Sequence, residues 1–310
     1  MTSAVQPLFD GLRSVIRGKD EFLKQLLGCF LAGGHVLIED VPGLGKTTVA
    51  KTLAALVAGD DGERSFRRIQ CTPDLLPYDI TGVDVFNPEK RAFEFLPGPV
   101  FAHVLLADEI NRTTPKVQSA LLEVMGEGQV TVGTATRRLE QPFFVIATQN
   151  PVEFEGTYNL PLAQADRFLM KLSIGYPSGD AEFDIVNEDP AALLPDIKPV
   201  CGPAGVLELQ AAAARVHCSE VLTRAVVRTA ALSREHKAVQ YGVSPRGSLM
   251  LVKAARARAF VEGRDYVTDE DLLELAPLVL GHRLRLKDVR QRSAELVEEL
   301  CREALRLEKV

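Results

Sequence analysis

The stretch that decides the fold reads His35-Val36-Leu37-Ile38-Glu39-Asp40-Val41-Pro42-Gly43-Leu44-Gly45-Lys46-Thr47-Thr48. It begins as a short apolar strand, passes through a glycine-rich turn and enters residues 49–57, which have helical character. A phosphate-binding loop needs inward-pointing backbone N–H groups, a helix N-terminus behind them, a lysine for the β- and γ-phosphates and a hydroxyl for Mg²⁺. Gly43, Gly45, Lys46 and Thr47 meet these needs, so the stretch predicts a nucleotide site at a strand end.

The loop departs from the strict phosphate-binding pattern at its first position. The pattern Gly-x-x-x-x-Gly-Lys-Ser/Thr calls for glycine at position 40, where this chain has Asp40. Aspartate tolerates left-handed backbone better than most residues, so the loop can still form with Asp40 at this position. Residues 43–47 taken alone also suit an ordinary turn, and the remaining motifs favour the nucleotide interpretation.

Further apolar runs bounded by turn residues occur at 66–70, 104–107, 143–147 and 168–174. Short apolar strands that alternate with helical stretches predict an α/β fold, in which helices bury both faces of a five-stranded parallel sheet. Two hairpins are predicted as insertions. In the first, Val83 and Val85 face Phe93 and Phe95 across residues 87–90, and the second spans residues 129–139.

The sequence divides into three parts by composition. Residues 1–176 carry the α/β pattern, and residues 177–204 are rich in proline and acidic residues, which predicts a linker. Residues 205–310 read as helices only, with starts at Ser219-Glu220, at Ser244-Pro245 and at the capping-box pattern of residues 268–271. We therefore predict a second domain that is small and all-α.

The composition excludes several classes of protein. At about 100 to 200 residues per domain, a chain of 310 residues predicts two domains. Charged residues make up 25% and hydrophobic residues 46%, which excludes disorder and collagen-like repeats. The net charge of −6 has the wrong sign for binding duplex nucleic acid over the whole surface.

Cysteine and histidine spacing gives no metal or disulfide pattern. The five cysteines form no Cys-x-x-Cys pair, which predicts buried thiols in a reducing compartment. The five histidines are isolated, and no two have the spacing that would place both on one helix face. The N-terminus lacks the pattern of a signal peptide, and no segment reaches ~18 uninterrupted apolar residues. We therefore expect a cytoplasmic protein without a membrane-spanning segment.

Acidic and amide side chains follow two of the predicted strands. Asp108 and Glu109 end the run at 104–107, as required where one carboxylate holds the water shell of Mg²⁺ and another polarises the attacking water. Asn150 follows the next strand and would hold that water. The alternatives are a helix cap for the carboxylates and an ordinary turn before Pro151 for Asn150.

Two arginines have spacings that suit a site shared between subunits. Arg167 lies just before the fifth strand and would reach a neighbour's γ-phosphate more easily than its own, stabilising the charge of the transition state. Arg246 opens a helix of the second domain, where it would fold over the nucleotide. The alternatives are a solvated Asp166-Arg167 pair and a surface arginine in a first helical turn.

These motifs together resemble the MoxR family of AAA+ ATPases, from Val15-Ile16-Arg17-Gly18 to His282-Arg283-Leu284. The motifs that carry the resemblance are Arg68-Ile69-Gln70-Cys71-Thr72-Pro73-Asp74-Leu75-Leu76-Pro77, Leu106-Ala107-Asp108-Glu109-Ile110-Asn111-Arg112, Ala147-Thr148-Gln149-Asn150-Pro151, Leu162-Ala163-Gln164-Ala165-Asp166-Arg167-Phe168 and Ser244-Pro245-Arg246. The resemblance implies an AAA+ P-loop core in residues 1–176 and a helical lid in residues 205–310.

The same resemblance assigns roles to residues. It implies ATP binding by the Walker A residues Gly43, Leu44, Gly45, Lys46, Thr47 and Thr48, and Mg²⁺ binding by Thr47 and Asp108. It implies catalytic roles for Glu109, for Asn150 as sensor 1, for Arg167 as the arginine finger and for Arg246 as sensor 2. Val15 and Ile16 resemble the segment that lies against adenine, although an apolar pair is more often plain core.

The family resemblance also implies an assembly and partners. It implies a homo-oligomeric ring, usually a hexamer, that hydrolyses ATP at subunit interfaces and remodels, matures or inserts a cofactor into a client protein. The usual co-worker of the family is a protein with a von Willebrand factor A domain. The two hairpins would face the pore of the ring.

Other functions remain open at this stage. The ATPase subunit of tetrapyrrole metal chelatases resembles the same group of ATPases with inserted hairpins. The motor of such a chelatase is therefore one alternative. A DNA motor is another, because Arg137 and Arg138 lie near the second hairpin, although the overall acidity favours protein clients. A non-enzymatic nucleotide switch is the third. The combination of Lys46, Glu109, Asn150 and Arg167 argues against a switch, since binding alone needs no water-activating carboxylate.

Overall fold

A computed structural model describes residues 1–58, 65–151, 157–158, 160–288 and 290–308. The first part of the chain alternates helices and strands. In chain order it forms α1 (Gln6–Val15), α2 (Asp20–Leu31), β1 (Val36–Glu39), α3 (Lys46–Leu56), β2 (Phe66–Gln70), α4 (Pro77–Thr81), β3 (Gly82–Asn87), β4 (Ala92–Pro97), β5 (Val104–Asp108), α5 (Pro115–Glu127), β6 (Gln129–Val132), β7 (Ala135–Arg138), β8 (Phe144–Gln149), α6 (Leu162–Ala165) and β9 (Met170–Leu172).

The central sheet positions the site. Among the described residues, five strands form one parallel sheet in the order β2-β5-β8-β1-β9, which confirms the fold predicted from the apolar runs. The carboxyl ends of parallel strands lie at the same edge of a sheet. The residues that follow β1, β2, β5 and β8 therefore meet at one edge.

Both faces of the sheet are buried, as the continuous apolar runs predict. Successive residues of β5 alternate between two hydrophobic clusters. Leu106 packs in the cluster that contains side chains of α1, α2 and α3, and Leu105 packs in the cluster that contains side chains of α5. The strand ends are thereby held between helices on either side.

The first inserted hairpin has a different register from the predicted one. In the β3–β4 hairpin, Val83 pairs with Leu96 and Val85 with Glu94, so the predicted pairing with phenylalanines is wrong. The turn extends to Arg91, which has φ 51°, and Asn87 Oδ1 accepts the backbone N–H groups of Glu89 and Lys90 at 2.9 and 3.2 Å. This Asx turn fixes the register in a way that apolar alternation does not reveal. The second hairpin, β6–β7, lies within the predicted residues.

The second part of the chain is mostly helical. It forms α7 (Gly179–Glu188), α8 (Pro203–Ala214), α9 (Glu220–Glu235), β10 (Val239–Tyr241), α10 (Pro245–Val261), α11 (Asp269–Leu280), β11 (Arg285–Leu286) and α12 (Ser293–Glu308), with 3₁₀ helices at Ile110–Arg112, Pro190–Asp196 and Gly281–Arg283. The starts of α9, α10 and α11 agree with the predicted caps, because Ser219, Ser244 and Thr268 each accept a backbone N–H.

One expectation for this part needs correction. The antiparallel pair β10 and β11 departs from a purely helical reading, because strands of two or three residues give no periodic signal. The predicted linker contains α7, capped by Ser178, and the 3₁₀ helix at Pro190–Asp196. Its prolines lie outside α7 and do not interrupt it. The domain boundaries at residues 176 and 204 stay predictions. One hydrophobic cluster contains side chains of α2, α10 and α11, and so includes residues from both sides of these boundaries.

The cysteines of the chain differ in burial. Cys29, Cys71 and Cys301 are buried free thiols, whereas Cys201 and Cys218 are half-buried, so the prediction of buried thiols is wrong for these two. Burial raises the pKa of Cys71 to about 12.

In the described ranges, no helix combines the length and apolar character needed to span a bilayer.

Candidate functional site

The loop after β1 has the backbone of a phosphate-binding loop. Gly43 and Gly45 have φ 88° and 80°, in the region that side chains other than glycine rarely adopt. A Cβ built on either glycine would meet no neighbouring atom within 4 Å, so these positions need glycine for its conformation rather than for space. The α-helix begins directly afterwards at Lys46, and its first backbone N–H groups have no intrahelical partner. The loop and helix therefore present donors suited to an anion.

A cavity of about 500 Å³ lies at the carboxyl edge of the sheet. It is lined by Pro42, Gly43, Gly45, Lys46, Thr47, Thr48, Arg68, Gln70, Asp108, Glu109 and Asn150. The loop after β1 and the ends of β2, β5 and β8 contribute these residues, as the strand order requires. The cavity thus brings together the predicted phosphate-binding and carboxylate residues, while Leu44 lies outside this lining.

Asp108 is held by hydrogen bonds from two sides. The Thr148 hydroxyl donates to Asp108 Oδ1 at 2.6 Å, and Arg68 NH2 lies 2.7 Å from Asp108 Oδ2. The Thr148 oxygen in turn accepts the backbone N–H of Glu109 at 2.8 Å. The carboxylate at the end of β5 is therefore fixed by its neighbouring strands β8 and β2.

Glu109 turns the chain away from the sheet. It has φ 57° and ψ 51°, a left-handed conformation that costs a non-glycine residue energy and that directs the chain into the 3₁₀ helix. Glu109 Oε2 accepts from Gln70 Nε2 and from Arg112 NH1, both at 3.0 Å. Its carboxylate is thus oriented by two donors within the cavity wall.

Lys46 reaches across the loop. Its ammonium donates to the Asp40 carbonyl oxygen at 2.5 Å. Burial lowers the pKa of Lys46 from its ordinary value, and the carboxylates of Asp40, Asp108 and Glu109 oppose that shift. The lysine therefore lies among the acidic groups where a phosphate chain would bring further negative charge.

Asp40 acts through its side chain. Among the described non-glycine residues, positive φ occurs at Arg91, Glu109 and Asp189, so the loop forms without a left-handed backbone at Asp40. Its buried carboxylate accepts the Ser173 hydroxyl at 2.9 Å, the backbone N–H of Ile174, and the backbone N–H of Gly175 at 3.4 Å. Asp40 therefore connects the phosphate-binding loop to the segment after β9.

Restoring the consensus glycine at position 40 is expected to weaken the protein. Asp40→Gly removes the acceptor of three donors, and we expect the free energy of unfolding to fall by about 2 kcal/mol. Urea denaturation measures this change. Asp40→Asn keeps one oxygen acceptor and serves as the control, with a smaller expected loss. Equal or greater stability of the glycine variant would show that these hydrogen bonds contribute nothing.

Asn150 joins the site from β8. It lies among the cavity-lining residues and is buried, and its backbone carbonyl accepts from Asn111 Nδ2 at 3.4 Å. Its position beside Asp108 and Glu109 follows from the pairing of β5 with β8. Its predicted role as a sensor of nucleotide stays a prediction.

Arg167 lies at the other edge of the sheet. It precedes β9, whose carboxyl end faces the cavity edge, and its guanidinium donates to the Leu122 carbonyl at 2.5 Å. A Cβ built on Gly126 would clash with the Arg167 guanidinium, so α5 approaches this arginine closely. Within one chain, Arg167 is therefore separated from the cavity by the length of the strands.

Arg246 lies on the helical part of the chain. It is exposed in the first turn of α10 and lies beside a buried arginine, Arg283, that the sequence analysis did not single out. The Arg283 side chain is 1% exposed and its Nε donates to Asp166 Oδ1 at 2.9 Å. Burial lowers the pKa of Arg283 to about 10, Asp166 opposes the shift, and the charge of Arg246 adds to it.

Val15 and Ile16 differ in burial. Val15 is buried at the end of α1, and Ile16 packs against the larger hydrophobic cluster. A contact of these two residues with adenine stays a prediction.

Arg68 and Gln70 were missed by the sequence analysis as site residues. Both lie in a motif that carried the family resemblance, yet neither received a role. Residues i and i+2 of a strand point to the same face, and β2 ends at the same edge as β5. Their polar character at the end of a predicted strand was the signal that could have found them.

The donor set fits Mg²⁺ together with a nucleotide. Thr47 and Asp108 offer hydroxyl and carboxylate oxygens, the donors that Mg²⁺ prefers. In the part of the chain that the structure describes, no group of three or more His, Cys, Asp or Glu side chains forms a metal cage. Mg²⁺ usually binds through one or two carboxylates, water and substrate phosphates, so the phosphates would complete the coordination.

Comparisons with known proteins agree with this geometry. The family model described as "ATPase family associated with various cellular activities (AAA)" matches residues 35–170, and the AAA lid domain matches residues 231–303. The YeaC protein of Bacillus subtilis is 45% identical over 300 residues, covering 96% of this chain and 92% of its own. Chaperone MoxR1 of Mycobacterium tuberculosis is 43% identical, covering 89% and 74%.

A solved structure extends the similarity to three dimensions. The structure of a candidate ATPase from Cytophaga hutchinsonii has a TM-score of 0.87 and 38% sequence identity, covering 96% of this chain and 93% of its own. The similarity therefore includes both the sheet and the helical part.

Proposed function

The chain belongs to the MoxR family of AAA ATPases, and from that premise we propose that it hydrolyses Mg²⁺-ATP in a homo-oligomeric ring to remodel or mature a client protein. One observation carries the proposal. A single cavity is lined by the phosphate-binding loop, by Asp108 and Glu109, and by Asn150. A protein that only binds nucleotide has no need of the second carboxylate.

Nucleotide binding follows from the loop. The backbone N–H groups of residues 43–48 would surround the β- and γ-phosphates, and Lys46 would exchange its bond to the Asp40 carbonyl for phosphate oxygens. Thr47 and Asp108 would hold Mg²⁺, which supplies positive charge to the phosphate oxygens. Leu44 and Thr48 complete the loop, and Val15 and Ile16 are proposed to pack near the adenine.

Water activation falls to the ends of β5 and β8. Glu109 would accept a proton from the attacking water or orient it, and Asn150 would hold the same water from the neighbouring strand. The position of Glu109 supports this role, because its left-handed backbone ends the strand and the residue lines the cavity. Gln70 and Arg112 hold the carboxylate in its present orientation.

Arg167 is proposed to serve the cavity of a neighbouring copy. It lies at the amino edge of the sheet, whereas the cavity of its own chain lies at the carboxyl edge. A ring in which one copy's amino edge packs against the next copy's carboxyl edge would bring Arg167 to a γ-phosphate. We propose a hexamer, and we propose that Arg246 reports the nucleotide state to the helical part.

Exposed apolar side chains support a protein client. The β3–β4 hairpin exposes Val83, Val85, Phe86, Phe93 and Leu96, and Phe93 is 72% exposed. Val83, Val85 and Leu96 lie on one face of the hairpin, and Phe86 and Phe93 lie on the other. Exposed apolar surface of this kind commonly marks a protein interaction site. We propose that this hairpin contacts the client, and that a protein with a von Willebrand factor A domain assists. The relative from Mycobacterium tuberculosis is named a chaperone.

The DNA-motor alternative has less support. Arg137 NH2 pairs with Asp84 Oδ1 at 3.0 Å, and its guanidinium lies 3.8 Å from the centroid of the Phe95 ring. These contacts use Arg137 to join the two hairpins, which leaves less of its charge for a nucleic acid strand. Salt-dependent DNA binding would be the observation that favours the alternative. A role in a tetrapyrrole chelatase would require a response of turnover to porphyrin.

Turnover of Mg²⁺-ATP per subunit, measured against protein concentration, tests the proposed function. We expect specific activity to rise with concentration, because the complete site needs two copies. Lys46→Ala is expected to weaken ATP binding about 100-fold, since it removes a charged hydrogen-bond donor from the phosphates. Equilibrium binding of a fluorescent ATP analogue measures that loss.

Lys51→Ala is the matched control for this test. Lys51 lies on the same helix and is exposed, so its loss removes an equal charge without touching the cavity. Unchanged binding in the Lys46 variant would refute the assignment of the phosphate loop. Activity that is independent of concentration would refute the shared site while leaving nucleotide binding intact.

A further inference from the structure

The end of β2 forms a hydrogen-bonded bridge between the two carboxylates of the cavity. Arg68 NH2 lies 2.7 Å from Asp108 Oδ2 and donates to Gln70 Oε1 at 2.7 Å. Gln70 Nε2 then donates to Glu109 Oε2 at 3.0 Å. The bridge Asp108–Arg68–Gln70–Glu109 therefore connects the carboxylate proposed for the metal with the carboxylate proposed for the water.

Arg68 occupies the oxygen that a metal ion would need. Thr148 donates to Asp108 Oδ1 and Arg68 pairs with Oδ2, so both carboxylate oxygens are engaged. A guanidinium and Mg²⁺ are both cations that bind carboxylate oxygen, so their charges repel each other when both are held at one carboxylate. Metal binding by Asp108, directly or through the water shell of the ion, is therefore favoured when Arg68 moves away.

Arg68 is the partner that can move at low cost. Its side chain is 45% exposed, whereas that of Asp108 is 15% exposed. It lies on β2, an edge strand of the sheet, so open solvent is available beside it. Thr148, by contrast, is buried and also accepts the Glu109 N–H. Ion pairs with a half-exposed partner are weak, which suits a contact that a divalent ion displaces.

We propose that Arg68 is a positioning residue that occupies Asp108 until the Mg²⁺–nucleotide complex displaces it. The inference rests on the proposed function, because it assumes that nucleotide and Mg²⁺ share this cavity. Displacement of Arg68 would remove its bond to Gln70, while Gln70 and Arg112 would still donate to Glu109.

Binding of a fluorescent ADP analogue, measured with Mg²⁺ and separately with EDTA, tests the inference without hydrolysis. In Arg68→Ala the metal no longer has to displace a cation, so we expect the ratio of affinities with Mg²⁺ and with EDTA to rise about fivefold. Arg68→Lys keeps a positive charge and is expected to restore part of the wild-type ratio. Urea denaturation checks that each variant is folded.

Arg67→Ala is the matched control. Arg67 is the preceding residue of the same strand, is exposed and points to the opposite face, so its removal changes the net charge equally. Its affinity ratio is expected to equal that of the wild type. An equal rise in the Arg67 variant would attribute the effect to net charge and overturn the inference.

Two further outcomes separate the inference from the proposed function. Loss of affinity in Arg68→Ala both with Mg²⁺ and with EDTA, at an unchanged ratio, would make Arg68 a phosphate ligand and overturn the inference alone. If the wild type binds the analogue under neither condition, the proposed function fails, and the inference fails with it.

Discussion

Replacement of Arg167 by alanine is expected to lower ATP turnover by about 10³-fold or more in the assembled protein, because an arginine supplied from a neighbour stabilises the charge of the transition state. The basis is the position of Arg167 at the amino edge of the sheet, away from its own cavity. The variant is expected to bind ATP with nearly wild-type affinity, since the phosphate loop is unchanged. Turnover and equilibrium binding measured on one preparation test both parts.

Structural loss must be separated from loss of the trans contribution. Arg167 also donates to the Leu122 carbonyl, so Arg167→Lys and a urea denaturation curve report on folding. Arg306→Ala, an exposed arginine of α12, is the control for net charge and is expected to behave as wild type. Turnover that persists in Arg167→Ala would remove this residue from the mechanism.

Mixing two inactive variants gives a sharper test of sharing. When Arg167→Ala is mixed with Glu109→Gln, some interfaces combine an intact Glu109 from one copy with an intact Arg167 from the other. These interfaces are expected to recover activity, although neither variant is active alone. A mixture that stays inactive, with mixed assemblies demonstrated, would show that both residues serve the same copy's cavity.

Replacement of Glu109 by glutamine is expected to lower turnover about 10²- to 10⁴-fold, the range typical of a lost general base. Glutamine keeps the size of the side chain and an oxygen that can accept from Gln70 and Arg112. The site geometry is therefore preserved, and only the capacity to take a proton is lost. ATP affinity is expected to stay close to that of the wild type.

Single-turnover measurement distinguishes this loss from a loss of binding. The variant is mixed in excess over ATP, and the rate of phosphate formation is followed. Glu123→Gln, which changes an exposed glutamate of α5, is the matched control and should leave the rate unchanged. A normal rate in Glu109→Gln would assign water activation to another group.

The sheet could be predicted from the sequence because its strands are buried on both faces. Runs such as residues 104–107 and 143–147 are continuously apolar, which leaves little choice but a central strand. The turn after β1 was equally clear, because its glycines predict the left-handed backbone that Gly43 and Gly45 adopt. Local chemistry decided both features.

Features that depend on distant partners could not be predicted. Asp40 bonds to residues more than a hundred positions away, so its role is invisible in the local pattern. The pairing of Arg68 with Asp108 depends on the strand order, and the pairing of Arg283 with Asp166 depends on how the helical part packs against the segment before β9. The β3–β4 register could not be predicted for a different, local reason. It depends on an Asx turn at Asn87 that the alternation of apolar residues does not encode.

The hydrogen bonds of Asp166 have a consequence for the order in which the subunits of the proposed ring would hydrolyse ATP. Its carboxylate accepts from Arg283 at 2.9 Å and from Ser244, the cap of α10, at 3.4 Å, and it immediately precedes Arg167. A movement of the helical part would therefore displace Asp166 and, with it, the neighbouring Arg167. In the proposed ring, each subunit would pass its own state forward to the next active site and receive none back by this route. With this coupling, the subunits of the proposed ring would hydrolyse ATP one after another, in one direction around the ring.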